Sequence, residues 1–478
     1  MLLSQLLDGV NVVSDYVDRN VNLIVNDSRK VRENDVFVCI NGAVADGHLY
    51  AKKALENGAT AVICERDLGL KEQIIVDDTH LAYSKMAANY FGNPSKKLKL
   101  VGITGTNGKT TTTKLVKGIL TSVGKKVGLI GSIENEICDE VIHAEKTTPD
   151  AIELEELYRK MVDADCEYCV MEVSSHALDQ KRIGDSRYKV GVFTNLTQDH
   201  LDYHKTMENY FEAKTKLFDI SEKAVINFDD EYGKKILEKI DIPAMTISME
   251  SKDATLSAYN ISYYADRVEY AFDYEGEKYE VVFKMPGIFS VKNSLTAIAI
   301  SLSLGVDVKD AVNGINNAKG VRGRSEIVPT GRDFTVICDH AHTPDGLENI
   351  LSALKKTCKG RLIALFGCGG DRDSLKRPLM AKSSAKFADM LIITSDNPRT
   401  EDPVKIIEDI LPGLDGIDIP YEVIVNRKDA IFYAVQNAKK DDTIVLAGKG
   451  HEDYQIIGTE KHHFDEREVV AEALETLR

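Results

Sequence analysis

The segment Gly105-Thr106-Asn107-Gly108-Lys109-Thr110-Thr111 has the residue types needed to hold a nucleoside triphosphate. Its glycines let backbone N–H groups close around phosphate oxygens, and a helix starting there adds a favourable dipole. Lys109 would reach the β- and γ-phosphates, and Thr110 would ligate Mg²⁺. The general pattern GxxxxGK[ST] is met except at its first glycine, where Ile103 stands. Such a loop serves motors, switches, kinases and ligases, so it predicts ATP or GTP without choosing a reaction. Glu172, in MEVSSH, adds a carboxylate at an expected strand end, useful to a metal or simply part of a capped turn. His200, in TNLTQDHLDYH, could ligate a metal or hydrogen-bond within its own loop.

These residues need strands and helices to present them. VGITGTNGKTTTTKLVKGIL reads as apolar strand, glycine turn and helix. Strands are expected at 98–104, 168–173, 190–195 and 224–227, with helices between, which implies a mostly parallel, doubly wound sheet. Residues 255–285 instead alternate with period two around a Glu275-Gly276 turn, as a β-rich insertion would. Before this block, residues 1–96 mix short strands (36–40, 61–64, 73–76) with helical stretches near 48–57 and 79–91. After it, strands at 335–338, 362–366, 390–394 and 443–447 begin a third alternating unit. The expected division is 1–96, 97–326 and 327–478: a small N-terminal α/β domain, a central P-loop domain with a parallel sheet, and a C-terminal Rossmann-like domain. Asn195, Asp339, Gly367, Asp396 and Gly448 fall just after expected strands, where ligands of such sheets bind.

Bulk properties narrow the classes. The chain has 478 residues, 43% hydrophobic and 28% charged, which suits a soluble protein of several domains. A net charge of −16 disfavours nucleic acid as a general partner. No apolar run is long enough to cross a bilayer, and MLLSQLLDGV lacks the basic start and cleavage site of an export signal. Eight cysteines are scattered, and the lone CxxC of Cys166 and Cys169 has no second pair to complete a zinc site. Reduced thiols in a cytoplasmic protein are expected.

Taken in order, GTNGKTT, MEVSSHALDQKRI, FTNLTQDHLDYH, YFEAKTKLF, INFDD, GRSE, DHAHTPD, LFGCGGDRD, SDNPRTEDP and AGKGHEDYQ resemble the motifs of the Mur ligases. These are ATP-dependent amide-forming enzymes of peptidoglycan precursor synthesis. The resemblance runs from about residue 26 to 467 and is nearest to the MurE type, through DSRKV, SSHALDQKR, DNPR and GKGHE. It implies three domains and a reaction in which ATP phosphorylates a substrate carboxylate and an amine displaces the phosphate. It implies Gly105–Thr111, Asn293, Arg324 and Asp339 at ATP, and two Mg²⁺ ions served by Thr110, Glu172, His200 and Lys214. Lys214 matches the lysine that the family carries as a carbamate. Lys109, Lys214, His200 and Arg324 would be the catalytic set. Ser28, Thr147, Thr148, Ser174, Gln180 and Arg182 would bind the partner substrate, UDP-MurNAc-L-Ala-D-Glu. The chain departs from the family's usual residues at Lys146, Ser290, Arg322 and His340.

The resemblance also assigns Arg372, Asp396, Asn397, Pro398, Arg399, Gly448 and Glu452 to the incoming amino acid. An arginine can meet a carboxylate with two parallel hydrogen bonds. The distal carboxylate of meso-diaminopimelate offers that partner, and L-lysine does not. Meso-diaminopimelate is therefore expected over L-lysine, in a monomeric cytoplasmic enzyme. A folylpolyglutamate synthase-like ligase would not predict Asp27-Ser28-Arg29 or DNPR, and a nucleotide-dependent switch would need the loop but not Lys214, Arg324 or the third-domain pocket.

Overall fold

The computed structural model describes residues 1–42, 45–264 and 266–477. The chain divides into two compact units, one of 1–104, 124–192 and 213–224, the other of 105–123, 193–212 and 225–478.

The first unit opens with a four-stranded parallel sheet in the order Ile24–Val25, Val36–Val38, Ala61–Cys64, Gln73–Ile75. The two central strands are wholly apolar and buried, as a sheet covered on both faces requires. Helices Ala51–Glu56 and Thr79–Tyr90 follow the expected helical stretches. The same unit carries the neighbouring strands Lys99–Thr104, Tyr168–Glu172 and Val127–Ile130, all parallel. An antiparallel hairpin, Glu134–Ile137 with Glu140–His143, extends them. That hairpin is absent from the sequence-based expectation, because its strands are short and its turn holds Cys138 and Asp139 rather than glycine or asparagine. Cys138 takes a left-handed φ of 54° there.

In the second unit, helix Lys109–Ser122 packs on helices Ile288–Ser303 and Val308–Asn316. Its run of four threonines is unusual for a helix, and Thr113 Oγ1 satisfies itself by donating to the Thr110 carbonyl at 2.8 Å. The β-rich insertion forms the antiparallel strands Tyr259–Tyr263, Val268–Tyr274 and Glu277–Phe283, with residue 265 outside the described residues. Glu275 and Gly276 both have positive φ, the twist a tight hairpin requires.

The C-terminal part of this unit is a six-stranded sheet in the order Glu326–Val328, Thr335–Asp339, Thr443–Ala447, Leu362–Phe366, Met390–Ile393, Tyr421–Val423. Only the first pair is antiparallel. Thr443–Ala447 inserts between strands that come earlier in the chain. The carboxyl ends of Thr335–Asp339, Thr443–Ala447, Leu362–Phe366 and Met390–Ile393 therefore open at one edge, beside a switch in strand order. Apolar side chains cover both faces of this sheet. A final hairpin, Tyr454–Ile457 with Glu460–His463, also went unread in the sequence, although Gly458 and Thr459 mark its two-residue turn. Among the described residues no helix is long and apolar enough to cross a membrane.

Candidate functional site

The loop before helix Lys109–Ser122 depends on two glycines. Gly105 has φ 145° and Gly108 φ 87°. A Cβ on Gly105 would strike Thr194 Oγ1, and one on Gly108 would lie 2.5 Å from Asn293 Oδ1. The segment after Phe193 holds the loop in place: Asn195 Oδ1 accepts the Asn107 N–H at 2.9 Å, and Thr194 Oγ1 donates to the Asn107 carbonyl at 2.6 Å. Lys109 Nζ donates to the carbonyls of Gly105 and Thr106 at 2.9 and 2.8 Å. Arg324 reaches the loop as well, Nη2 donating to Thr110 Oγ1 at 3.1 Å.

Around these residues lies a cavity of about 310 Å³. Asn107, Thr110, Thr111, Asn293, Arg324 and Asp339 supply polar atoms to its wall, while Ile247, Met285, Ile288, Phe289 and Ile350 supply an apolar surface. Donors, a cation and an apolar slot together suit a nucleotide, with phosphates among the donors and a flat base against the hydrocarbon. Burial pushes the Asp339 carboxyl up, against the pull of Arg324, and its oxygens accept the N–H groups of Ser325 and Ala341 at 2.7 and 2.8 Å. Asp345, to which the sequence motifs give no role, lines the cavity and takes hydrogen bonds from Asn107 Nδ2 at 2.8 Å and Asn349 Nδ2 at 3.0 Å. Its place in HTPD, just inside a helix start, was the available signal.

A second cavity, of about 180 Å³, collects His200, Arg372, Asp396, Asn397, Arg399, Gly448 and Glu452, which the sequence places up to 252 positions apart. His340 lines both cavities. Arg399 is half-buried, and its Nη1 donates to the Gly370 carbonyl at 2.8 Å. Burial and the neighbouring Arg372 both weaken its hold on its proton. Neither arginine makes an ion pair among the described residues, so the pocket holds two adjacent cations that an anion would satisfy. Arg399 has a left-handed φ of 51°, a strained state for a side chain of this size. The C-terminal hairpin imposes it: the Arg399 N–H donates to Ile456 O at 3.1 Å, and its carbonyl accepts from Gly458 at 2.8 Å. Pro398 shapes the loop from behind, since a Cβ on Gly370 would strike its carbonyl.

The same pocket has an acidic side. Burial works against charge at Asp199, but His200, His342 and Lys376 outweigh it and hold the carboxyl down to about 2. At Asp396 burial is likewise overcome, by Lys449 and Arg427, and the carboxyl lies below its usual range. Burial lowers the proton affinity of His340 and His342, with Arg324 adding to the effect on His340 and Lys376 on His342. A pocket with two guanidinium groups and several fixed carboxylates matches a zwitterion that is charged at both ends.

The first unit groups another set. Glu172 accepts the Ser132 N–H at 2.9 Å on one oxygen and the Ser132 hydroxyl at 3.0 Å on the other. That hydroxyl also contacts Thr147 Oγ1 at 3.0 Å. Thr148 Oγ1 donates to the Glu172 carbonyl and accepts the Ser174 N–H, both at 2.9 Å. Arg182 donates to the Thr148 carbonyl at 3.1 Å and to Gln180 Oε1 at 2.6 Å. Thr147, Thr148, Ser174, Gln180 and Arg182 thus form one hydrogen-bonded group around the end of strand Tyr168–Glu172. Ser28 stands apart from them, buried, its carbonyl held by Asn57 Nδ2 at 2.8 Å. Lys214 is 1% exposed. His200 is half-exposed at the start of a short helix, its Nε2 3.4 Å from Asp199.

The chain matches three family models: "Mur ligase family, catalytic domain" over 20–94, "Mur ligase middle domain" over 103–301 and "Mur ligase, glutamate ligase domain" over 323–450. It is 47% identical over 467 residues to a UDP-N-acetylmuramoyl-L-alanyl-D-glutamate--2,6-diaminopimelate ligase of Clostridium botulinum, covering 96% of each chain. It is 44% identical to the protein of that name in Clostridioides difficile, covering the whole of both. A solved structure of a ligase with this name superposes with a TM-score of 0.70 at 30% identity, covering 100% of this chain and 99% of the other.

Proposed function

The chain belongs to the Mur ligase family, and from that premise we propose that it joins meso-diaminopimelate to UDP-MurNAc-L-Ala-D-Glu with ATP as the energy source. The γ-phosphoryl of ATP passes to the substrate carboxylate, the amine of diaminopimelate attacks the resulting acyl phosphate, and phosphate leaves as the amide forms. The observation that carries the choice of amino acid is the pair Arg372 and Arg399, two adjacent cations in one pocket with Glu452. The distal carboxylate of diaminopimelate answers the arginines and its distal ammonium answers Glu452, whereas L-lysine would leave the arginines without a partner.

The residues divide the work. Carboxylate and triphosphate are both anionic, so their approach needs neutralising groups held ready in place. Gly105–Thr111 and Arg324 receive the phosphates, Asn293 the base, and Asp339 the ribose. Thr147, Thr148, Ser174, Gln180 and Arg182 hold the sugar and peptide, with Ser28 at the uridine. The division 1–96, 97–326 and 327–478 then assigns the uridine end of the UDP-sugar, ATP and the amino acid to successive domains, with the sugar and peptide residues in the second. Nucleotide substrates at both ends of the reaction fit a cytoplasmic enzyme, active as a monomer, in peptidoglycan precursor synthesis.

Magnesium fits the donors available. Mg²⁺ favours oxygen ligands and commonly takes one or two from protein, the rest from substrate phosphates and water. By the family resemblance Thr110 and Glu172 would supply such donors, and Ser132 orients the Glu172 oxygens. Lys214 supplies a third set if carbamylated, because CO₂ replaces an ammonium with an anionic two-oxygen group. His200 would act through water, since imidazole is a poor partner for so hard an ion. When bound, the metal neutralises the phosphate charge.

The test is direct. The purified protein is given UDP-MurNAc-L-Ala-D-Glu, ATP, Mg²⁺ and either meso-diaminopimelate or L-lysine, with phosphate release and product mass as readouts. Phosphate release and a tripeptide product with diaminopimelate are expected. Equal turnover of L-lysine overturns the amino-acid assignment, and phosphate release independent of any amino acid overturns the ligase reading.

A further inference from the structure

Behind the amino-acid pocket lies a lysine that does not line it. Lys449 is fully buried. Its Nζ donates to Asn397 Oδ1 and to Glu452 Oε2, both at 3.1 Å. Asn397 Oδ1 also accepts the Ile456 N–H at 2.9 Å, and Asn397 Nδ2 donates to Glu452 Oε2 at 2.8 Å. An ammonium can only donate, so it can face only the oxygen of the asparagine amide. The orientation of that amide is thereby set, with its NH₂ directed at Glu452. Both donors converge on one carboxylate oxygen, Oε2. Asn397 and Glu452 line the pocket, while the group that fixes them sits out of reach of any occupant.

A buried ion pair adds little net stability over an apolar side chain of similar volume. What Lys449 supplies is direction. We propose that Lys449 is a positioning residue for substrate choice: it fixes the Asn397 amide and, with it, holds Glu452 so that the carboxylate presents one oxygen to a distal ammonium. This rests on the reading that Glu452 receives that ammonium. The Lys449–Asn397–Glu452 relay thus selects a di-ammonium amino acid over one with a single amine and the same two carboxylates.

The experiment compares kcat/KM for meso-diaminopimelate with that for 2-aminopimelate, which keeps the distal carboxylate and lacks the distal ammonium. Three full-length proteins are used: wild type, Glu452→Gln and Lys449→Met. The wild-type ratio should favour diaminopimelate, and both variants should lower it about tenfold or more with the KM for ATP unchanged. General structural damage would lower both substrates together and leave the ratio alone. An unchanged ratio in Glu452→Gln overturns the assignment of the ammonium to Glu452, and the proposal with it. A ratio that falls in Glu452→Gln but holds in Lys449→Met overturns the role of Lys449 alone. If Lys449→Met does not fold, Lys449→Gln tests the same relay, because it removes the buried ammonium that fixes Asn397 and Glu452 and leaves the pocket lining unchanged. The ratio must fall there too, and an unchanged ratio overturns the relay.

Discussion

Arg399 concentrates what single residues contribute here. Its type was readable from DNPR, but its surroundings were not: a strained φ of 51°, a hairpin strand that fixes its backbone, and Arg372 beside it. Replacing it with alanine removes one of two cations without touching the nucleotide cavity, which it does not line. Arg399→Ala should raise the KM for diaminopimelate about tenfold or more and leave that for ATP within about twofold. Initial rates with each substrate varied in turn settle the matter, and equal rises in both KM values contradict the assignment. Lys214 and His200 are residues whose roles come from family resemblance. The sequence offered a lysine on a helix and a histidine in a loop, and burial sets Lys214 apart from an ordinary surface lysine.

At the scale of elements, the phosphate loop is legible because its constraint is local. Strand, four residues and helix must follow one another, and glycine is needed where φ is positive. The structure adds a second constraint at Gly108: a Cβ there would crowd the amide oxygen of Asn293, 185 positions away, which would have to move. Gly108→Ala should therefore abolish measurable ATP binding by calorimetry while far-ultraviolet circular dichroism stays at the wild-type level. Retained affinity would show that the loop can shift to admit a methyl group. The helices Arg427–Gln436 and Glu466–Glu475 illustrate the opposite case. Arg427 and Glu466 form a wholly buried ion pair at 2.7 Å, and Arg427 also donates to the Ala447 carbonyl at 2.8 Å. Nothing in the spacing of the two residues foretold the pair. Arg427→Met leaves the Glu466 carboxylate buried without its cation. It should cost about 3–5 kcal/mol of stability in urea unfolding followed by fluorescence, and a loss below about 1 kcal/mol would mean that water reaches Glu466.

For the whole molecule, one buried acid makes a statement about pH. Glu155 lies in helix Ala151–Asp163, which packs against helix Thr79–Tyr90, and burial raises its carboxyl to about 8. A carboxyl raised on folding binds its proton more tightly in the native state. Its contribution is therefore complete below about 4.5, the model-peptide range, and is lost as pH rises toward about 8. Melting temperature should fall across that interval, and Glu155→Gln should flatten the fall and melt above wild type at pH 8. A parallel decline in both proteins would assign the effect to other groups.

The sequence by itself determined the order and type of most elements, the phosphate loop and the family. These depend on short-range rules: hydrophobic period, turn residues, and motifs whose members lie within a few positions. It missed two hairpins, because strands of four residues carry little periodic signal. Tertiary structure decided which distant side chains share a cavity. The insertion of Thr443–Ala447 between two earlier strands brings Gly448 and Glu452 to Asp396 and Arg399. It also decided which charges are buried, since Lys449, Arg427 and Glu155 look like surface residues in a linear reading. Strand order and burial are properties of the closed core, where long-range packing overrides local preference, and no window of sequence contains them.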